Sequence, residues 1–128
     1  MKALQGWFVT GTDTEIGKTT VSAGLLHALG RSGLRVAGYK PVAAGTEWQD
    51  GQRVNHDVER LRAASNVPLA AEDVCACLLD AACAPHLAAR EAGVAISMDA
   101  LLAGAQRLAG RVDRLVVEGV GGFLVPLD

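Results

Sequence analysis

Lysine is nearly missing from this chain. The twelve basic residues comprise nine arginines and only Lys2, Lys18 and Lys40. Aromatic residues are scarce too, at 4%. Basic charge does not dominate: the formal net charge is −2, which leaves no electrostatic footprint for a nucleic-acid partner. No apolar run approaches the roughly 20 residues that a membrane-spanning helix needs. Cysteine is sparse and oddly spaced. Cys75, Cys77 and Cys83 form C-x-C and C-x₅-C intervals rather than C-x₂-C pairs, and His86 is the nearby candidate for a further ligand. They read as small buried apolar residues in a reducing compartment. Met1-Lys2-Ala3-Leu4 leads straight into a strand too short to serve as a signal-peptide core, so a cytoplasmic location is expected.

What is present is apolar and rich in glycine. Half of the 128 residues are apolar, only 20% are charged, and 15 are glycine. That composition implies a packed core rather than disorder. The length fits one domain, residues 1–128, able to bury roughly two thirds of its unfolded surface.

The chain is organised around Gly11-Thr-Asp-Thr-Glu-Ile-Gly17-Lys18-Thr19. An apolar run containing Trp7-Phe8-Val9 precedes it. An amphipathic segment with Val21, Leu25, Leu26 and Leu29 follows. Strand, glycine loop and helix in that order form the context of a phosphate-binding loop. Backbone N–H groups of the loop and of the helix N-terminus converge there with partial positive charge. Gly17 permits close approach, Lys18 can reach β/γ-phosphates, and the Thr19 hydroxyl can ligate Mg²⁺. Five residues separate the two glycines where the usual pattern has four. Lysine at Lys18 and Lys40, in a chain that otherwise uses arginine, suits a compact ammonium beside phosphate or carbamate-like oxygens.

The first strand is expected over about 4–10 and the first helix over about 18–31, stopped near Gly33. Residues 34–40 form a second strand ended by Pro41. Together these segments predict a right-handed βαβ unit with parallel strands, which places Lys40 at a strand's carboxyl end, where such sheets bind ligands. Residues 45–51 read as a turn-rich loop carrying Trp48. Asn55 is a good N-cap for a helix through about Arg62. Asp57 in its first turn either complements the helix dipole or contacts Mg²⁺ and nucleotide. Residues 67–84 read as a loop with a short strand or buried turn over 74–79. A short helix is expected after Pro85. Ser97 caps a helix over 98–108 with Leu101, Leu102 and Ala105 inward. His27 and His86 read as structural. Finally, the apolar strand 112–118 ends in Glu118 and opens into Gly119-Val-Gly121-Gly122, the layout of a Walker-B-like metal site on a central strand.

Four blocks together resemble the dethiobiotin synthetases: F-V-T-G-T-D-T-E-I-G-K-T at 8–19, A-G-Y-K-P-V-A at 37–43, Asp57 at a helix start, and V-E-G-V-G-G at 117–122. A-P-H at 84–86 adds to them, and the similarity runs across the whole chain. The resemblance implies a P-loop NTPase-like three-layer α/β fold with a mainly parallel sheet. It also implies closure of the ureido ring of dethiobiotin from 7,8-diaminononanoate, CO₂ and ATP, through a carbamate and a carbamic-phosphoric anhydride. On these positions, Glu15, Ile16, Gly17, Lys18, Thr19 and Thr20 cradle the phosphates. Thr19, Asp57 and Glu118 surround Mg²⁺. Gly119, Val120 and Gly121 line the nucleotide. Lys40 and Lys18 are the catalytic lysines, and Thr14, Lys40, Ala44 and Gly121 lie along the diamine. The full-length form is implied to be a cytoplasmic homodimer acting on small molecules, without nucleic acid or membrane.

Two departures stand out. The family has serine where this chain has Ala44, a lost hydrogen bond worth on the order of 1 kcal/mol unless Thr46 replaces it. The family also continues well beyond residue 128, so the chain reads as the N-terminal portion, truncated at its C-terminal side. Such a half sheet is expected to leave an edge strand and an apolar helix face uncovered. Rival readings are a cobyrinate-type amidating ligase, a partition-type switch ATPase, or a truncated phosphate-binding module without turnover. Switch ATPases carry a second lysine early in the loop, where this chain has Thr12 and Asp13.

Overall fold

The computed structural model describes residues 6–9, 18–79 and 97–119. Strand β1 (Gly6–Val9) precedes helix α1 (Lys18–Arg31), and the glycine loop between them lies outside the described residues. Helix α1 ends where the sequence places a glycine stop: Gly33 takes φ +88° and its N–H bonds to the Gly30 carbonyl. Strand β2 (Val36–Tyr39) follows and stops before Pro41.

Beyond Pro41 the chain is more ordered than its sequence suggests. Strand β3 (Val42–Ala44) pairs in parallel with the later β6 (Cys77–Leu79). The stretch expected to be a loop around Trp48 is instead a hairpin of β4 (Glu47–Gln49) and β5 (Gln52–Val54). Its turn is Asp50-Gly51, with φ of 51° and 79°, the pair of positive values a tight two-residue hairpin demands. The guanidinium of Arg53 stacks 4.8 Å over the exposed Trp48 ring.

Helix α2 (His56–Ala64) starts on Asn55, whose side chain accepts from the Val58 N–H. A short helix, α3 (Ala71–Val74), occupies part of the segment read as a loop. Its Asp73 carboxylate accepts from the Ala70 N–H, so this acid closes a first turn rather than marking a loop. Helix α4 (Met98–Ala109) begins at Ser97, whose hydroxyl accepts from the Ala100 N–H. Leu101 and Ala105 face inward as expected, joined by Gly104 and Leu108, but Leu102 is 54% exposed because it falls outside the i, i+3, i+4, i+7 stripe they define. Strand β7 (Arg114–Glu118) closes the described chain. The helix expected after Pro85 lies outside the described residues.

The main sheet has the order β1-β7-β2, all parallel, so β1 and β2 are not neighbours but admit β7 between them. Register brings Val9 beside Glu118 and Tyr39 beside Val117. Successive residues of β2 point to opposite faces and show what covers each. At Gly38 an added Cβ would lie 3.1 Å from atoms of both Leu26 and Leu61, so α1 and α2 settle against bare backbone on one face. On the other face the Tyr39 hydroxyl donates to the Leu101 carbonyl at 2.7 Å, with Gly104 against its ring, so α4 lies there. Helix, sheet and helix make three layers. Leu26 and Leu61 are each fully buried, worth about 2–3 kcal/mol apiece.

The outer edge of β2 is not left bare. The Val36 N–H donates to the Asn66 side chain, the Gly38 N–H to the Ser65 hydroxyl, and the Lys40 N–H to the Val74 carbonyl. The expectation of an uncovered edge fails at β2 because side chains after α2 take the place of a neighbouring strand. No helix among the described residues is long and apolar enough to cross a membrane.

Candidate active site

Four side chains from four elements meet at the carboxyl ends of the parallel strands. Glu118 ends β7, Lys40 follows β2, Thr19 lies in the first turn of α1, and Asp57 lies in the first turn of α2. The fold thus collects residues separated by up to 99 positions.

Glu118 is the centre. It is completely buried, and a buried carboxylate needs donors. It has three: Thr19 Oγ1 donates to Oε2 at 2.9 Å, Lys40 Nζ donates to Oε2 at 2.8 Å, and Ser22 Oγ donates to Oε1 at 3.1 Å. The Lys40 side chain is 5% exposed and also lies 3.6 Å from Asp57 Oδ2, whose side chain is 39% exposed. A chain of charge therefore runs from the sealed Glu118 through Lys40 to the solvent-facing Asp57. These three charges sum to −1, leaving room for further positive charge. Thr19 gives its hydrogen to Glu118 and keeps its oxygen lone pairs free to accept or to ligate.

Of the residues the sequence singles out, Thr19, Lys40, Asp57 and Glu118 are brought together. Thr20 is exposed on the same turn as Thr19, and Gly119 follows directly on Glu118. Lys18 opens α1. Ala44 ends β3, and its carbonyl lies 3.5 Å from the Asn55 amide nitrogen. Thr46 accepts from Arg53 at 3.2 Å, so its hydroxyl is engaged in the hairpin. Thr14, Glu15, Ile16, Gly17, Val120 and Gly121 lie outside the described residues.

Other residues were not legible as site residues. Ser22 stands three positions after Thr19 on the same helical face, a spacing from which its hydroxyl could have been read. Asn55 does more than cap α2: its amide donates to the Gly45 carbonyl at 2.7 Å, tying Asp57's helix to the loop after β3. Nothing local signals that bond. Arg60 donates to the Thr20 hydroxyl at 3.1 Å.

The donor set is suited to a hard cation. Thr19, Asp57 and Glu118 offer only oxygen, and Mg²⁺ takes one or two carboxylates together with phosphate and water oxygens. Among the described residues no group of three or more His, Cys, Asp or Glu side chains could hold a metal by itself, so an ion here would depend on Thr19 and on phosphate. The two described cysteines, Cys75 and Cys77, belong to the scaffold. Cys75 is buried, its thiol bonds to the Cys77 carbonyl, and burial pushes its pKa up to about 11. A neutral thiol of that kind is inert. Burial likewise raises Tyr39 to about 12.

Residues 5–128 match the family model described as an AAA domain. The chain is also 55% identical over 121 residues, 94% of its length, to the curated ATP-dependent dethiobiotin synthetase of Ralstonia nicotianae. That alignment covers 53% of the relative, so the chain spans about half the length of the curated relative it matches. With helices on both faces of a parallel sheet and a glycine-lysine-threonine loop leading into α1, the chain belongs to the AAA-domain family and carries its P-loop NTPase-like fold.

Proposed function

We propose that this chain is the N-terminal portion, one domain, of an ATP-dependent dethiobiotin synthetase. The observation that carries this reading is the buried Thr19–Glu118–Lys40 network reaching Asp57, at the strand ends of a chain 55% identical to such an enzyme. In the reaction, one amine of 7,8-diaminononanoate takes up CO₂ to give a carbamate. A carbamate oxygen attacks the γ-phosphorus of ATP and ADP departs. The second amine attacks the carbonyl carbon of the mixed anhydride, expels phosphate and closes the ureido ring.

The residues divide this work by charge and reach. Glu15 to Thr20 wrap the phosphates, and Lys18 offsets negative charge as the phosphoryl group transfers. Lys40 bridges Glu118 and Asp57, and its ammonium is the group assigned to hold the carbamate oxygens. Thr19, Asp57 and Glu118 are the residues that would hold Mg²⁺, which supplies charge neutralisation across the phosphates when bound. Gly119 to Gly121 line the nucleotide, and Thr14, Ala44 and Gly121 the diamine. Phosphoryl transfer needs positioning and electrostatic stabilisation more than covalent help, and this set provides both. The complete enzyme acts as a cytoplasmic homodimer.

The test is phosphate release with ATP, Mg²⁺ and bicarbonate, in the presence and absence of 7,8-diaminononanoate, using the protein at its full length. Diamine-dependent release lost in Lys40→Ala is the expected result. Release indifferent to the diamine would overturn the assignment.

A further inference from the structure

Helix α1 gains nothing from a serine at position 22. Alanine is the better helix former, and a polar group in the interior is costly unless it is bonded. Yet Ser22 is completely buried, one turn after Thr19, and its hydroxyl donates to Glu118 Oε1 at 3.1 Å. The two oxygens of Glu118 are thereby used differently. Oε2 takes both Thr19 Oγ1 at 2.9 Å and Lys40 Nζ at 2.8 Å, whereas among the described residues Ser22 is the donor to Oε1. The torsion that turns a carboxylate about its own axis is broad, so its plane needs a restraint from outside. Donors on Oε2 locate that oxygen, and the donor on Oε1 sets the plane. Lys40 depends on that plane, because an ammonium has three hydrogens to give and no acceptor. In the fixed arrangement one hydrogen meets Oε2, and the nitrogen lies 3.6 Å from Oδ2 of the partly exposed Asp57.

We propose that Ser22 is a positioning residue: it holds the plane of Glu118, and through it the direction in which Lys40 presents its ammonium. The inference rests on the synthetase reading above, in which Lys40 holds the carbamate, and adds a residue outside the four sequence blocks that carry that reading. Without the hydroxyl, Oε1 is a buried acceptor that has lost its donor, and Lys40, already at Oε2, has hydrogens to give it. Glu118 then takes the ammonium between its two oxygens and draws it away from Asp57. The charge pair survives, but its aim changes.

The test uses the full-length protein and compares wild type with Ser22→Ala, Ser22→Thr and a control, Ser97→Ala, which deletes the hydroxyl that caps α4 on the opposite face of the sheet. Two readouts are taken. One is steady-state kinetics with ATP, Mg²⁺, bicarbonate and 7,8-diaminononanoate. The other is the ¹⁵N resonance of the Lys40 ammonium without ligands, assigned by its loss in Lys40→Met. Ser22→Ala is expected to lower kcat roughly 10- to 100-fold, the cost of a reacting group misplaced by about 1 Å, with KM for ATP within about twofold of wild type. Its Lys40 resonance should shift, while Ser22→Thr, which keeps the hydroxyl, should resemble wild type in both readouts. Ser97→Ala should lose stability without losing kcat or moving the resonance, which separates positioning from a general softening of the fold. A Ser22→Ala protein with wild-type kcat, or with lowered kcat and an unmoved Lys40 resonance, would overturn the proposal. Wild type without diamine-dependent turnover would overturn the synthetase reading, and the Lys40 resonance in Ser22→Ala would still decide whether Ser22 aims the ammonium.

Discussion

Lys40 and Glu118 form a sealed ion pair: 2.8 Å separates Nζ from Oε2, and their side chains are 5% and 0% exposed. Burying two charges costs desolvation that only close pairing and further hydrogen bonds offset, and the hydroxyls of Thr19 and Ser22 provide those bonds. The pair is thus a positioning device whose halves depend on each other. Glu118→Ala leaves an ammonium in the interior and is expected to cost about 3–5 kcal/mol in urea unfolding. Lys40→Met combined with Glu118→Leu should regain most of that loss while remaining inactive. A Glu118→Ala protein as stable as wild type would show that the two groups are not a buried pair.

Asn55 joins the helix carrying Asp57 to the loop after β3 by two different bonds, one accepted and one donated. Asn55→Ala removes both and should destabilise by about 1–2 kcal/mol. Asn55→Asp keeps the cap on α2 but cannot donate to Gly45, so it should fall between. If the two variants melt alike, the bond to Gly45 contributes nothing.

Gly104 is required by Tyr39. A Cβ at 104 would lie 3.0 Å from Tyr39 Cζ and collide with the hydroxyl that donates to Leu101. Gly104→Ala should therefore destabilise by about 1–3 kcal/mol, although alanine is the better helix former by about 1 kcal/mol. In a Tyr39→Phe background the same change should cost measurably less, because the colliding oxygen is gone. Additive effects in the double mutant would refute the contact as the cause.

Alkaline pH should loosen the fold. Burial raises Cys75 from 9.0 to about 11, so the folded protein keeps a proton that the unfolded chain releases. The stabilisation is complete below pH 9 and is lost as pH rises towards 11, an effect on the order of 2 kcal/mol. Tyr39, raised by burial from 10.0 to about 12, extends the same trend upward. Unfolding midpoints measured from pH 8 to 11 should decline, and Cys75→Ala should decline less steeply. Parallel curves for the two proteins would assign the loss elsewhere.

The sequence revealed the parts whose chemistry is local. Helix α1 has the bounds 18–31 that its apolar spacing and Gly33 indicate, and Asn55 and Ser97 cap the helices they were expected to cap. Glu118 was legible because a carboxylate after an apolar strand and before glycines is a pattern in one dimension. What escaped was pairing between distant segments. Nothing near Val42 announces that it meets Cys77, and Ser65 and Asn66 close the edge of β2 only because α2 returns them to it. The hairpin is a different case, since Asp50-Gly51 is a strong local turn signal that the polar composition of its strands conceals.

The place of β7 between β1 and β2 also sets an order of events. During synthesis β1 emerges first and β2 some thirty residues later, yet among the described residues neither has a partner in the main sheet until 114–118 arrive. The growing chain must hold two apolar strands apart while more than seventy further residues are made. Loop closure over that distance makes the sheet a late and slow event, and the nascent chain an occupant suited to the ribosome's chaperones. The strand that carries Glu118 also joins β1 to β2, so the carboxylate and the platform beneath it come into being together.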